Sequence, residues 1–243
     1  MFAKIDAKKR KLDELRPLPP GTLKSLLEQA RLEWTYHSNA IEGNTLSLKE
    51  TRIVLEGITV GGKTLREHLE VINHQEAVFY LEELVQQKSL LSEWDIKSIH
   101  RLVLKGIDDS HAGVYRMENV VISGAKHVPP PHYLVQEQME HLMARYRKEW
   151  RDIHPVERAA LLHGGFVKIH PFLDGNGRTA RLLMNFELIK AGYPPAIIKK
   201  RDRLRYYEAL DEAHIKGDYR SFTLLVARCV ERSLDWWLET LGN

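Results

Sequence analysis

Residues 170–181 constrain this chain more than any other stretch, and they read His-Pro-Phe-Leu-Asp-Gly-Asn-Gly-Arg-Thr-Ala-Arg. They place a histidine, a carboxylate and two arginines around a Gly-Asn-Gly turn. This set supplies a candidate general base, a ligand for a hard metal ion and two cations for phosphate. The glycines allow a tight turn whose N–H groups approach a ligand closely. The combination predicts a phosphate-binding loop rather than an ordinary solvated helix start.

The segment after this loop predicts a buried central helix. From Arg181 to Lys190 the sequence is apolar on nearly all sides, and Ala191-Gly192 supplies the usual stop signal. The loop therefore lies at a helix N-terminus, where free N–H groups and the helix dipole favour phosphate. Arg178 and Arg181 are three residues apart and share one face of the first turn.

The composition is that of an ordinary folded chain. With 243 residues, of which 43% are hydrophobic and 28% charged, the chain can form one sizeable core. The 36 basic residues are nearly balanced by 33 acidic ones, so we expect no nucleic-acid partner. No stretch approaches the roughly 18 apolar residues of a membrane span, and the N-terminus lacks the apolar core of a signal peptide. We therefore expect a cytoplasmic protein without a membrane partner.

Other potentially reactive side chains show no catalytic pattern. Cys229 is the only cysteine and lies in an apolar run, which predicts a buried structural thiol in a reducing compartment. The remaining histidines form no His-Glu-x-x-His or similar metal cluster. We expect structural or surface roles for His37, His100, His111, His141, His154 and His163.

Start signals predict helices along most of the chain. Capping boxes at Ser47–Glu50, Thr64–Glu67 and Ser92–Asp95 open three of them, and Pro155 begins the helix that leads to the loop. Further helices are predicted from about Thr22, over 135–150, over 203–216 and over 221–238. Residues 1–21 contain three prolines near their end, which predicts an ordered arm or a linker with Lys8 to Lys11 in solvent.

One segment predicts β-structure. Residues 120–128 place β-branched side chains on either side of a Ser-Gly turn, and three prolines at 129–131 follow. This pattern is typical of a short β-hairpin. The predicted fold class is therefore all-α with a single hairpin, packed as one compact unit.

The string at 170–181 resembles the signature of Fic (Fido) proteins, His-x-Phe-x-(Asp/Glu)-Gly-Asn-Gly-Arg-x-x-Arg, at every defined position. The resemblance extends from about Trp34 to about Leu234 and is greatest to Fic enzymes of the animal endoplasmic reticulum, without their membrane anchor and helical repeats. It implies the Fido fold, a helical bundle with one short β-hairpin flap. It also implies an N-terminal helical region (1–90), a catalytic domain (91–232) and a helix end (233–243).

The resemblance implies a protein adenylyltransferase, a nucleotidyltransferase that moves AMP from ATP onto a Ser, Thr or Tyr hydroxyl of a target protein. Such a transfer needs a base for the hydroxyl, an in-line approach to the α-phosphate and neutralisation of the leaving pyrophosphate. His170 suits the first task because the pKa of an imidazole lies near neutrality. Asp174 suits Mg²⁺ or Mn²⁺, which take carboxylate and phosphate oxygens. Phe172 is expected in the core.

The same resemblance implies the residues that bind ATP. They lie on the flap, along the loop and on a later helix, and they are Gly124, Ala125, Lys126, His127, Asp174, Gly175, Asn176, Gly177, Arg178, Thr179, Ala180, Arg181, Tyr206 and His214. The last position departs from the Asn of the most similar relatives. Tyr207 is equally compatible with the nucleotide pocket and with the core. The flap is expected to pair with an extended segment of the target.

Residues 38–44, Ser-Asn-Ala-Ile-Glu-Gly-Asn, resemble the inhibitory motif of Fic proteins, (Ser/Thr)-x-x-x-Glu-(Gly/Asn). Ser38 and Glu42 are four residues apart and share a helix face. Because this motif precedes the loop in sequence, the resemblance implies the class called class II. It implies an ion pair between Glu42 and Arg181 that competes with the γ-phosphate, and hence autoinhibition.

Other functions stay open at this stage. Some Fic relatives remove AMP, transfer phosphocholine or phosphorylate; the phosphorylating branch has Lys at the position of Gly177, so this glycine argues against it. A non-catalytic nucleotide-binding sensor or toxin-partner module would keep the loop without needing His170. The pair Trp236-Trp237 is costly to leave in solvent, which suggests a homodimer.

Overall fold

The computed structural model describes residues 2–88 and 90–242, and within these ranges the chain forms helices and no β-strand. In chain order the α-helices are α1 (Ala3–Glu14), α2 (Pro20–Ile41), α3 (Leu48–Leu55), α4 (Leu65–Gln86), α5 (Glu93–Leu104), α6 (Val135–Lys148), α7 (Pro155–Ile169), α8 (Asn176–Lys190), α9 (Arg203–Lys216) and α10 (Arg220–Thr240). None of these helices is both long and apolar enough to cross a membrane.

The centre of the fold is the pair α7 and α8, which pack along each other and are joined by the loop at 170–175. Every residue of α8 from Arg178 to Leu188 is buried, as its apolar sequence predicted. The buried amide of Asn185 is satisfied because it donates to the carbonyl of Ala196 and accepts from the N–H of the same residue. The loop is thus attached at both ends to buried helices.

Two apolar cores meet at this central pair. One contains residues from α4, α5, α6, α7 and α8, and the other contains residues from α1, α2, α7, α8, α9 and α10. Helix α8 supplies Leu183 and Phe186 to the first core and Met184 and Leu188 to the second. Since both sides of α8 are packed at interior density, movement of its first turn is opposed from both cores.

Local start signals are confirmed where the sequence placed them. The capping boxes at Ser47, Thr64 and Ser92 each have the reciprocal pair of hydrogen bonds and open α3, α4 and α5. Pro155 is the first residue of α7, and α9 has the predicted bounds. Helix α10 is slightly longer than predicted. It continues without a break across residues 232 and 233, where the boundary between the catalytic domain and the helix end was expected.

The N-terminal prediction is wrong, because residues 3–14 form α1 rather than an arm or linker. The prolines follow this helix, and Pro20 is the first residue of α2. Only Ile5 and Leu12 of α1 are buried, a periodic signal too sparse to indicate a helix from sequence. Packing against α10 stabilises the helix that the sequence alone does not indicate. Across this contact Lys8 donates to Glu231 instead of lying in solvent.

The β-hairpin prediction is also wrong. Residues 120–128, which we call the flap, form a turn at Ser123-Gly124 and no strand ladder. Val121 and Val128 are 87% and 71% exposed, so no buried face fixes a strand register. The carboxylate of Asp211 in α9 instead accepts two flap N–H groups, so these two donors are paired without a partner strand.

The C-terminal tryptophans pack within the chain. Trp237 is 4% exposed, and Trp236 packs partly buried against the second core. Cys229 is buried in the same core, as predicted. Because the protein covers its own tryptophan pair, that pair gives no reason to expect a second subunit.

Candidate active site

The loop between α7 and α8 is closed by one amide side chain. Asn176 accepts from the N–H of Phe172 at 3.0 Å and donates to the Phe172 carbonyl at 2.8 Å. The ring of Phe172 is fully buried and stacks on His100, with ring centroids 3.5 Å apart. Phe172 is therefore a core residue, as predicted, and it fixes the loop to α5.

His100 holds the loop from the other side. Its Nδ1 accepts from the N–H of Gly113 at 2.9 Å, so Nε2 carries the proton and donates to the carbonyl of Asp174 at 2.8 Å. Burial lowers its pKa to about 4, which keeps the ring neutral. A Cβ added to Gly175 would lie 3.2 Å from this Nε2, and the φ of Gly175 is +75°. A glycine is thus required there for both backbone conformation and space.

The first turn of α8 is open to an anion. Gly175 occupies the N-cap position, and no side chain of the described residues caps this turn. The N–H groups of Asn176, Gly177 and Arg178 therefore point out of the helix end without a capping partner. Free N–H groups together with the helix dipole make this end suitable for phosphate.

His170 ends α7 in the left-handed conformation, with φ 51° and ψ 59°. This conformation is uncommon for a residue other than glycine, so the surroundings must hold it. Arg116 does so by donating from Nε to the His170 carbonyl at 2.9 Å. The same buried guanidinium donates to the carbonyls of Glu118 and Pro130, which flank the flap. Arg116 therefore attaches both ends of the flap region to His170.

The His170 imidazole is kept neutral. Burial lowers its pKa to about 4, and the charge of Arg116 adds to this effect, while the carboxylates of Glu42 and Asp174 oppose it. Its Nδ1 is buried and makes no hydrogen bond to the described residues. A neutral imidazole at pH 7 is the form that accepts a proton.

The flap lies against the end of α7 and against α9. The N–H groups of Lys126 and His127 donate to Oδ1 of Asp211 at 2.9 and 2.8 Å. His127 also donates from Nε2 to the carbonyl of Lys168, two residues before His170. Of the four predicted flap residues, His127 therefore contacts the end of α7 that leads into the loop, and Lys126 is held with it on α9.

Asp174 belongs to a closed ring of two carboxylates and two guanidinium groups. Its Oδ1 is 3.2 Å from Nη2 of Arg178, and its Oδ2 is 2.5 Å from Nη2 of Arg66. Glu70 completes the ring, at 3.3 Å from Arg178 and 3.2 Å from Arg66. Burial raises the pKa of Asp174, but Arg178, the Gly175 N–H and Arg66 outweigh it and hold that pKa below its usual range. The carboxylate is therefore ionised.

The predicted ion pair between Glu42 and Arg181 is present, with Oε1 and Nη2 2.7 Å apart. Arg181 also donates to the carbonyl of Ser38 at 2.8 Å and to its hydroxyl at 3.1 Å. That carbonyl belongs to the last turn of α2, where helix carbonyls lack helical partners. The negative end of α2 and the carboxylate beyond it thus both face one buried guanidinium.

The other residues of α9 that were considered for nucleotide binding differ in how far they are exposed to solvent. Tyr206 is buried behind Arg181, accepts from its Nη1 at 3.3 Å and donates to Nε2 of His163 at 3.0 Å. Tyr207 is 38% exposed and lies beside the end of α2. His214 is buried and donates to the Gly164 carbonyl, with its ring 4.9 Å from that of His127.

The predicted nucleotide-binding residues in the first turns of α8 also differ in their surroundings. Thr179 and Ala180 are fully buried inside the bundle. A Cβ built on Gly177 would clash with Oε1 of Glu42, so this glycine faces residues 38–44. Any larger residue at this position would displace Glu42.

Sequence reasoning missed four charged residues of the site, which are Arg66, Glu70, Arg116 and Asp211. Each contacts a residue at least 54 positions away in the chain, and the respective partners are Asp174, Arg178, His170 and His127. Nothing local marks them, since isolated charged residues are ordinarily solvated. A backbone group or a charged side chain of a distant segment gives each of them its place, and one sequence does not show that proximity.

The fold and the site together define an all-α protein built around a loop that presents uncapped N–H groups and two arginines at a helix start. A model of the Fic/DOC family matches residues 90–188. The chain is also 35% identical to the solved structure of Fic-1 (residues 134–508) from C. elegans, with a TM-score of 0.89, covering 98% of this chain and 72% of that one. The chain belongs to the Fic/DOC family.

Two further comparisons extend this assignment. A Fic domain containing signaling protein from Bacteroides thetaiotaomicron has a TM-score of 0.92 at 30% identity, covering 98% of this chain and 96% of that one. A relative from Nematostella vectensis named Protein adenylyltransferase Fic is 44% identical over 98% of this chain and 56% of its own length. The chain spans about half the length of the curated relatives that it matches.

Proposed function

We propose that this chain is an autoinhibited protein adenylyltransferase that transfers AMP from ATP to a Ser, Thr or Tyr hydroxyl of a target protein. The observation that carries the proposal is a neutral His170 beside the uncapped start of α8, with Asp174, Arg178 and Arg181 around it. The relatives named Protein adenylyltransferase Fic support the reaction type.

In this proposal His170 is the general base. Nδ1 is buried, so Nε2 is the nitrogen that receives the proton of the target hydroxyl. The hydroxyl oxygen forms a bond to the α-phosphorus while the bond from that phosphorus to the α–β bridging oxygen breaks and pyrophosphate leaves. A neutral imidazole is needed at the start of this step, which is the state that burial and Arg116 favour.

The phosphates would bind along the start of α8. The N–H groups of Asn176, Gly177 and Arg178 face this position, and Gly175 allows the chain to turn beneath it. Arg181 would bind the γ-phosphate through a planar guanidinium, but only after Glu42 has left it. Thr179 and Ala180 contribute by filling the bundle beneath the loop.

A Mg²⁺ or Mn²⁺ ion fits Asp174 by the chemistry of its donor atoms. The carboxylate is ionised and 45% exposed, and hard divalent cations accept one carboxylate together with phosphate oxygens. The described residues contain no cluster of three or more His, Cys, Asp or Glu able to hold a metal ion, so nucleotide and water oxygens would complete the shell. When bound, the ion would neutralise phosphate charge.

The flap and α9 would form the nucleoside side of the site. His127 contacts the end of α7, so Gly124, Ala125, Lys126 and His127 would border the nucleotide, and the target segment would dock on the outer edge of this flap. We assign the aromatic contact with the base to Tyr207, whose exposed ring lies at the surface. Tyr206 would instead hold Arg181 from behind, and His214 would act through its contact with His127.

Replacing Asp211 by Asn should loosen the flap and weaken target binding. A neutral amide oxygen accepts the two flap N–H groups less strongly than the carboxylate does, by about 1 kcal/mol each. We expect KM for a peptide target to rise about tenfold while kcat changes less. Glu208→Gln, at an exposed position of the same helix, is the control. An unchanged KM in Asp211→Asn would show that the flap does not depend on this carboxylate.

The experiment that tests the function is incubation of the protein, and of its Glu42→Gly variant, with Mg²⁺ and ATP labelled at either the α or the γ position. Label transferred to protein from the α position only is the expected result. Label from the γ position only would mean kinase chemistry and would overturn the proposal. Binding of ATP without any transfer, by either protein and with a range of candidate targets, would favour the nucleotide-binding sensor.

A further inference from the structure

Arg66 occupies a position where its charge opposes the helix that carries it. Thr64 is the N-cap of α4, and Arg66 is the second residue of the helix. The positive end of the helix dipole disfavours a cation in this first turn, where acidic residues such as Glu67 are favoured. Helix stability therefore does not account for an arginine at this position.

The contacts of Arg66 explain its placement. Its Nε is 3.2 Å from Glu70, one turn along α4, and its Nη2 is 2.5 Å from Oδ2 of Asp174. Arg178 is already committed to Oδ1 of the same carboxylate and is 2% exposed, whereas Arg66 is 57% exposed. Arg66 thus holds the second oxygen of Asp174 at the solvent side of the site.

We propose that Arg66 is an electrostatic gate on Asp174, occupying in the nucleotide-free chain the carboxylate oxygen that a divalent cation takes when nucleotide binds. This inference rests on the metal role proposed for Asp174. A guanidinium and a divalent cation cannot take the same oxygen along the same direction, and their like charges repel at contact distance. The ion pair therefore has to open before a metal can bind.

Opening the ion pair of Arg66 with Asp174 requires little rearrangement of the structure. Arg66 is long and mostly exposed, so its head can move into solvent while its Glu70 contact stays within reach on the same helix face. The inner pair of Arg178 with Asp174 need not break, because it uses the other oxygen. The gate therefore affects metal binding without disturbing the loop.

The test measures how strongly Mg²⁺ tightens nucleotide binding. The Kd of a fluorescent non-hydrolysable ATP analogue is determined in EDTA and in excess Mg²⁺, and the ratio of the two constants is the metal–nucleotide coupling. All proteins carry Glu42→Gly so that the inhibitory pair does not limit binding. The parent is compared with Arg66→Gln, Arg66→Lys and Asp174→Asn. A matched control is Arg145→Gln on α6, since Arg145 is 56% exposed and also pairs with a glutamate four residues later.

The ratio should rise about fivefold in Arg66→Gln, the factor that corresponds to ~1 kcal/mol, the upper end for an exposed ion pair. The ratio for Arg66→Lys should stay near that of the parent, because this variant keeps the competing charge. The ratio for Arg145→Gln should equal that of the parent. Asp174→Asn should have a ratio near one. Circular dichroism and thermal unfolding compare the total helix content and the stability of each variant with those of the parent.

Three results would overturn the gate. Equal weakening of nucleotide binding with and without Mg²⁺ in Arg66→Gln would make Arg66 a phosphate-binding cation instead. A coupling lost in Asp174→Asn but equal in the parent, Arg66→Gln and Arg145→Gln would leave the metal site standing without a gate. A ratio of one in every protein would overturn both the gate and the metal role of Asp174. The adenylyltransferase proposal is tested separately, by the transfer of label from the α position of ATP.

Discussion

Replacing His170 by Ala is expected to reduce AMP transfer by ~10²–10⁴-fold, the usual loss on removal of a general base. The expected cause is that His170 is the neutral imidazole at the mouth of the loop, held there by Arg116. Binding of an ATP analogue should change little, since the proposed phosphate site is the start of α8 with its arginines and does not include His170. Transfer of α-label in single turnover and the Kd of a fluorescent analogue measure the two effects separately.

Alanine at position 170 also removes a residue from a left-handed conformation, so a second variant is needed. Asn tolerates this conformation better than most residues and resembles His in size, but it cannot act as a base. His170→Asn should therefore lose transfer as fully as His170→Ala while keeping the stability of the parent. Transfer at near parental rate in His170→Asn would exclude His170 as the base.

The protonation of His170 gives an independent measurement. Because its pKa is lowered to about 4, the ring should be neutral throughout pH 6–8 and should gain a proton only as the pH falls toward that value. The nuclear magnetic resonance titration of the His170 ring, assigned by its absence in His170→Asn, should have its midpoint well below the ordinary 6.5 or so. Charge from bound phosphate would shift it upward, so the free protein is the one to measure.

The features that the sequence predicted correctly depend on short spacings. Each capping box pairs two residues three positions apart, so its geometry follows once the first helical turn forms. The burial of α8 follows from an apolar run with no polar face. The pair of Glu42 with Arg181 is a different case, since it spans 139 positions and could be expected only through resemblance to a family motif.

The features that the sequence did not predict depend on packing between distant segments. Helix α1 exists because Ile5 and Leu12 meet a core completed by α10. In the flap, Asp211, more than 80 positions away, accepts two backbone N–H groups, and the exposed Val121 and Val128 provide no buried face for a strand. The exposures of Tyr206 and Tyr207 are set by the rotation of α9, in which neighbouring residues point about 100° apart. A single sequence leaves that rotation open when both residues are tyrosines.

Replacing Glu42 by Gly should raise transfer of AMP, including transfer to the protein itself, by ~10²-fold. The reason is that Arg181 is buried and committed to Glu42 at 2.7 Å, and the same guanidinium cannot serve the γ-phosphate with the same geometry. A substrate displaced by about 1 Å loses a factor of this order. Glu28→Gln on the same helix, which breaks only an exposed pair, is the control for loss of a carboxylate.

The buried charge of Arg181 allows a second comparison of Glu42→Gly with the parent, based on how far ATP stabilises each protein. Without Glu42, the hydrogen-bond partners left to this buried cation among the described residues are the hydroxyl and carbonyl of Ser38 and the hydroxyl of Tyr206. A bound triphosphate would then be its ionic partner, so ATP should raise the thermal stability of Glu42→Gly more than that of the parent. The double variant Glu42→Gly, Arg181→Ala should lose both the gain in transfer and this extra stabilisation.

Removal of AMP separates two roles that Glu42 could have. Its carboxylate is 29% exposed and faces Gly177 at the start of α8, where it could orient a water molecule toward the phosphodiester of a modified target. If the protein also removes AMP, Glu42→Gly should abolish removal while it activates transfer, because one carboxylate would serve as both inhibitor and water ligand. Glu42→Gln keeps the side-chain shape but lacks the charge, so it should relieve inhibition in part and still lose removal. Equal transfer rates in the parent and Glu42→Gly would mean that the ion pair seen here does not restrain the enzyme, whatever the outcome for removal.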